Sequence, residues 1–178
     1  MAVLNVQERR IQVPSERVGA LTDRLVSADD PLWRGRSWPR MVLDRGLRVG
    51  SRGGHGPIRY SVEAYVPGQR VRFRFSAPRG FEGIREFVVQ PAEPGATVLR
   101  HVIAMRLHGS ARLSWPPALR RLHDALIEEC LDRAGYAFGR GDGGRAERSA
   151  YVRLLRYLSA RTARRSVDAS APTSLRTG

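Results

Sequence analysis

RVRFRFS, residues 70–76, alternates charge and bulk without a break. Neighbours in an extended chain point to opposite faces. Arg70, Arg72 and Arg74 therefore go one way, and Val71, Phe73 and Phe75 the other. One face is wet and one is packed, as in a sheet covered on a single side. Such a strand needs partners and a cover, and the sequence around it offers both.

The partners flank it. From residue 40 to 108 the apolar period is two, and MVLD (41–44), LRVGS (47–51), IRYSVEAYV (58–66), REFVVQ (85–90) and TVLRHVIAMRLH (97–108) read as further strands. Asp44-Arg45-Gly46, Pro67-Gly68-Gln69 and Pro91 through Gly95 separate them as turns. Connections this short arrange strands as an antiparallel meander. Residues 2–13, AVLNVQERRIQV, alternate more loosely and form another strand. Pro14-Ser15 then starts a helix with Ser15 as N-cap and Glu16 in its first turn. Val18, Leu21, Leu25 and Val26 give it an apolar face. Ser27 to Pro31 breaks it, and Pro31 opens a short second helix through Trp33.

The cover comes later. In WPPALRRLHDALIEECLDRAG, residues 115–135, Leu119, Leu122, Leu126, Ile127, Cys130 and Ala134 recur at helical spacing and form one apolar stripe. The spacing predicts one long helix over 116–138. Pro116 and Pro117 sit at its start, where proline is tolerated. His123 falls inside the stripe.

Composition narrows the class. A chain of 178 residues, 42% apolar, suits one domain with an extension. The basic count is 31 and the acidic count 17, a net charge of +14. Every basic residue is arginine, so the charge says less about partners than its size suggests. Cys130 is the single cysteine, which rules out an internal disulfide and points to a reducing compartment. MAVLNVQERR lacks a signal peptide's apolar run, and no stretch approaches the length of a membrane span. The expectation is a cytoplasmic protein. No GxSxG, Walker, HExxH or paired CxxC sequence occurs, which removes most support for hydrolase, ATPase and zinc-finger readings.

The expected organisation is one domain over 1–138, a Gly/Arg linker over 139–145, a basic amphipathic helix over 146–165 and a disordered tail over 166–178. Tyr151, Leu154, Leu155 and Leu158 line one side of that last helix, with Arg148, Arg153, Arg156, Arg161, Arg164 and Arg165 around them. Such a helix docks on its own domain or in a homodimer, or lies on nucleic acid or an anionic membrane surface.

The element order resembles the START/Bet v 1-like superfamily, which includes the polyketide cyclases. IQVPSERV, PGQRVRFRF, PAEPGATVLRHV and LRRLHDALIEECLDRA carry the resemblance, which covers roughly residues 3–138. It implies an α+β helix-grip fold: a curved antiparallel sheet of six to seven strands wrapped round the last helix, with two short helices after the first strand. It also implies a cavity between sheet and helix. Members bind lipids, sterols, polyketides or other bulky apolar molecules there; some catalyse cyclisation or dehydration, and many only bind. No cofactor is expected.

Candidate site residues follow from the faces. His101 shares one with Leu99, Ile103, Met105 and Leu107, while Arg100 and Arg106 face away. His101 and His123 should therefore look into the same interior from opposite walls. Two readings stay open: a general acid–base pair near neutral pH, or two hydrogen-bonded core histidines. Metal would need a third ligand, for which Glu86 and Glu128 are the nearest options; no metal is expected. Trp33, Tyr60, Phe73, Phe75, Phe87, Ile103, Met105, Trp115, Leu126 and Ile127 are the expected ligand-lining residues. Trp33, Trp38 and Trp115 flank the mouth, and Tyr60 and Tyr65 should lie on opposite faces of one strand. GSRGGHG (50–56) reads as a hairpin loop with a solvated His55, and Cys130 as buried filler.

Overall fold

The computed structural model describes residues 1–33, 38–115 and 119–139. Seven strands form one antiparallel sheet: β1 (Ala2–Ile11), β2 (Val42–Leu43), β3 (Arg52–His55), β4 (Ile58–Val66), β5 (Arg70–Ala77), β6 (Phe81–Pro91) and β7 (Thr97–Leu107). The spatial order is β1-β7-β6-β5-β4-β3-β2. Only β1 departs from sequence neighbours, pairing with β7, as a meander with an N-terminal strand at its edge requires. Helix α1 (Ser15–Thr22) follows β1, the short α2 (Ala111–Ser114) follows β7, and α3 (Arg120–Tyr136) closes the domain. This is the expected α+β helix-grip architecture.

The alternation on β5 and β7 holds as read. Val71 and Phe73 are buried and Arg74 is exposed, while Leu99, His101, Ile103, Met105 and Leu107 are all buried on one face of β7. Against that face α3 lays Leu126, Ile127, Cys130, Leu131 and Ala134. At about 25 cal/mol per Å² this apolar contact is the main force holding helix to sheet. A polar ladder from the edge strand adds to it. Asn5 and Gln7 donate to Asp124 Oδ1 at 2.9 Å each, and Arg9 reaches Glu128 and Asp132 at 2.9 and 2.6 Å.

Several local expectations need correction. Ser15 does not cap α1; Pro14 occupies that position, and the Ser15 hydroxyl bonds Glu16 instead. The helix ends at Thr22, and Leu25 and Val26 belong to turns. The segment 31–33 bends rather than coils. The Asp30 carboxylate accepts from the Leu32 and Trp33 N–H groups through Oδ1, as a helix N-cap does, and from Val26 through Oδ2; residues 34–37, which would continue a helix, lie outside the described residues. LRVGS is not a strand but a chain of turns, and the glycine-rich segment after it is β3. Gly53 and Gly54 pair there with β2 and β4 so closely that a side-chain carbon would meet the Val42 and Ile58 carbonyls. The glycines serve close strand approach and not loop freedom.

Tyr60 and Tyr65 do not lie on opposite faces. The β4–β5 register shifts between Val62 and Ala64, so one extra residue enters β4. A bulge of this kind turns the following side chains over. Tyr65 therefore joins Tyr60 on the core side, where its hydroxyl donates to Asp23 at 3.0 Å.

The long helix is described from Leu119 onward, and residues 116–118 lie outside the described residues. So do 140–178, and with them most of the linker, the basic helix and the tail expected from the sequence. No described helix is long and apolar enough to cross a membrane.

Candidate functional site

The core divides in two. One apolar cluster contains Trp33, Tyr60, Phe73, Phe87, Leu99, Leu126 and Ile127; the other contains Phe81, Ile103, Met105, Leu107 and Trp115. Phe75 packs against both. Three elements each place a polar side chain in this interior. On β7 it is His101, between Leu99 and Ile103. On α3 it is His123, between Leu119 and Leu126. On β6 it is Arg85, between Phe81 and Phe87. The expected ligand-lining residues are divided between the two clusters.

His101 is fully buried, and neither of its ring nitrogens has a hydrogen-bond partner among the described residues. Its ring centroid lies 5.0 Å from that of His123 and 4.7 Å from Phe87. His123 is nearly buried. Its Nδ1 sits 3.4 Å from Asp124 Oδ1, its Nε2 is unpartnered, and Trp115 lies 5.9 Å away. Burial, followed by the nearby Arg85 charge, holds the His101 imidazole well below its ordinary pKa. His123 is also lowered by burial, partly opposed by its contact with Asp124. Burial pushes the Asp124 carboxyl up, but His123, Asn5 and Arg120 together hold it below its ordinary value. Both imidazoles are therefore neutral near pH 7, each with one donor and one acceptor nitrogen.

Arg85 is the residue the sequence reading missed. It is 2% exposed, fully enclosed, and pairs in register with Phe73 on β5 and Ile103 on β7. Its guanidinium carbon lies over the rings of Trp33 at 4.9 Å, Tyr60 and Phe87 at 5.7 Å, and Phe73 at 5.8 Å. Its Nε and one terminal nitrogen, Nη2, have no hydrogen-bond partner among the described residues. Burial pulls the guanidinium below its ordinary pKa. The signal was present in REFVVQ: Arg85, Phe87 and Val89 share a face by simple alternation. A charged residue type masks that signal, because arginine is rarely buried without a partner.

His55 also needs correction. It ends β3, half-buried, and is not solvated. Its Nδ1 is 2.9 Å from the Tyr60 hydroxyl, and its ring packs 4.9 Å from Trp33. The loop is shorter than expected: Gly56-Pro57 alone turns β3 into β4, which brings His55 beneath Trp33. Burial and the Arg85 charge keep it neutral as well.

The remaining candidates lie elsewhere or are inert. Glu86 faces away from the interior and pairs with Arg72 at 2.8 Å, and Glu128 pairs with Arg9. Neither approaches the histidines as a third metal ligand. Cys130 is a buried free thiol whose pKa burial pushes up to about 12, too high for a nucleophile. Trp38 is half-buried and donates through Nε1 to Glu129 at 2.9 Å. It thus ties the segment before β2 to α3.

Comparison with known proteins bears on the fold. No protein-family model matches the sequence, and no curated protein matches it. Solved structures do. CalU16 from Micromonospora echinospora is 15% identical with a TM-score of 0.55, over 93% of this chain and 89% of its own. A truncated norcoclaurine synthase from Thalictrum flavum is 10% identical with a TM-score of 0.56, over 74% of this chain and 91% of its own. A conserved protein of unknown function from Enterococcus faecalis is 12% identical with a TM-score of 0.53, over 92% and 86%. At these identities the likeness is one of fold.

Proposed function

We propose that the protein binds a bulky, planar, largely apolar small molecule between the concave face of the sheet and α3. One observation carries this reading. His101 is wholly buried with both ring nitrogens unpaired among the described residues, facing a second imidazole whose Nε2 is unpaired there too. A finished core satisfies its polar groups, because each one left unpaired costs about 1–3 kcal/mol. Orphaned groups in an interior lined by aromatic rings are what a site for a polar-edged aromatic ligand would present.

A second reading adds proton transfer of the cyclase or dehydratase type, favoured by the neutral state of both histidines. One imidazole would take a proton from a carbon beside a ligand carbonyl. The other would deliver its ring proton to the carbonyl oxygen, giving an enol with no change in oxidation state. That a synthase shares this fold makes chemistry compatible with it.

Trp33 and Trp115 are built-in reporters for the first reading. Titration with planar aromatic probes of two and three fused rings should quench their fluorescence saturably, and native mass spectrometry should show a stoichiometric adduct. His123→Leu should leave the fold intact and abolish the adduct. If no probe saturates and no adduct forms with the wild type, the interior is not a ligand site. Deuterium uptake at the carbon beside a bound ketone's carbonyl, lost in His101→Leu, would support the second reading; its absence in the wild type would exclude it.

A further inference from the structure

We propose that Arg85 is the anchor for a carboxylate on the ligand, so that the interior site selects planar aromatic acids over their neutral counterparts. This rests on the reading of the interior as a ligand site and adds the ligand's charge class to it.

The first ground is the missing counter-ion. Arg85 is enclosed, yet no described carboxylate pairs with it. Of the acids on the facing helix, Asp124 is taken up by Asn5 and Gln7, Glu128 and Asp132 by Arg9, and Glu129 by Trp38 and Arg133. The polar neighbours of Arg85 are neutral: His55, His101, His123 and Tyr60, whose phenol burial pushes up further. A buried cation with only neutral neighbours is a site for an anion.

The second ground is the geometry of what is unpaired. The N–H bonds of Nε and Nη2 run parallel along one edge of the planar guanidinium. Both nitrogens are orphaned together. That edge matches the two oxygens of a carboxylate in a side-on, bidentate pair. The four surrounding rings do not substitute for it. They stabilise the charge through their faces, but a ring face offers no lone pair to an in-plane N–H. The surrounding aromatic side chains would hold a flat body next to the carboxylate, and the unpartnered ring nitrogens of His101 and His123 would serve hydroxyl or keto groups on it.

The test compares 2-naphthoate and 9-anthroate with their primary amides, which keep the shape and remove the charge. Binding would be followed by tryptophan fluorescence and calorimetry on the full-length chain, in the wild type, Arg85→Met and Arg85→Lys. The wild type should bind each acid at least about tenfold tighter than its amide, the margin of a charge-assisted pair. Arg85→Met should erase that preference while changing amide affinity little, and Arg85→Lys should keep part of it. Equal binding of acid and amide by the wild type would overturn the anchor and leave the ligand site standing. An acid preference that survives Arg85→Met would overturn it equally. Failure of acids and amides alike to bind the wild type would remove the site and the anchor with it. Should Arg85→Met not fold, the wild-type comparison and Arg85→Lys still decide.

Discussion

Arg85→Met should make the ligand-free protein more stable, not less. The wild type leaves two donors, Nε and Nη2, buried without partners among the described residues, at about 1–3 kcal/mol each, so about 4 kcal/mol together. Cation–π contact with the four rings returns about 2 kcal/mol. Methionine fills most of the arginine stem but leaves the space of the terminal nitrogens, worth about 1 kcal/mol in lost packing. The balance favours the variant by about 1 kcal/mol. For a chain of 178 residues that raises Tm by about 2–4 °C. Scanning calorimetry and urea unfolding on ligand-free protein, freed of co-purified molecules by refolding, would measure it. A conventional buried ion pair behaves in the opposite way, because removing one partner costs about 3–5 kcal/mol. A drop in Tm of more than about 6 °C would therefore show that Arg85 has a protein partner and is not an unpaired charge. A gain in stability with loss of binding is the usual relation between a functional site and the fold that carries it.

Three further outcomes follow from the same contacts. His101 has its pKa lowered in the folded state, so the unfolded chain takes up a proton that the native state refuses. Stability is then full above the unfolded pKa of about 6.5 and falls as pH drops below it, by up to about 1.4 kcal/mol per pH unit for each such histidine; a urea midpoint flat from pH 7 to 5.5 would contradict the lowered value. In Arg85→Met the His101 resonance should titrate at higher pH than in the wild type, since one cause of its lowering is gone, and an unmoved titration by NMR would place the two groups further apart. Asp124→Ala removes the acceptor shared by Asn5 and Gln7 and should cost about 1 kcal/mol at this partly exposed position, with faster amide exchange in the first turns of α3 as its local signature.

Much of the fold was legible without coordinates, because its signals are local. Period-two alternation over 70–76 and 97–108 sets which side chains face in, and helical spacing over 119–134 sets which stripe faces them. Two faces that must both be buried have one economical arrangement, sheet against helix. His101 and His123 were placed by the same arithmetic. Where the reading failed, the deciding interaction was distant in sequence or hidden by residue type. The bulge that turns Tyr65 inward is a matter of register between two strands, which no single strand's pattern contains. The glycines of β3 suggest a loop until two neighbouring backbones are seen to crowd them.

Arg85 makes the division clearest. Alternation by itself aimed it inward beside Phe87. Whether a guanidinium there would be neutralised, solvated or left unpaired depends on which groups the other strands and α3 bring within a few ångströms of it. Those groups come from residues 33, 55, 60, 73, 87, 101 and 123, and only the tertiary structure assembles them. The sequence by itself determined the two apolar faces and their meeting; the folded arrangement alone decided that a positive charge sits between them without a partner among the described residues, because charge compensation is a property of three-dimensional neighbours and not of position along the chain.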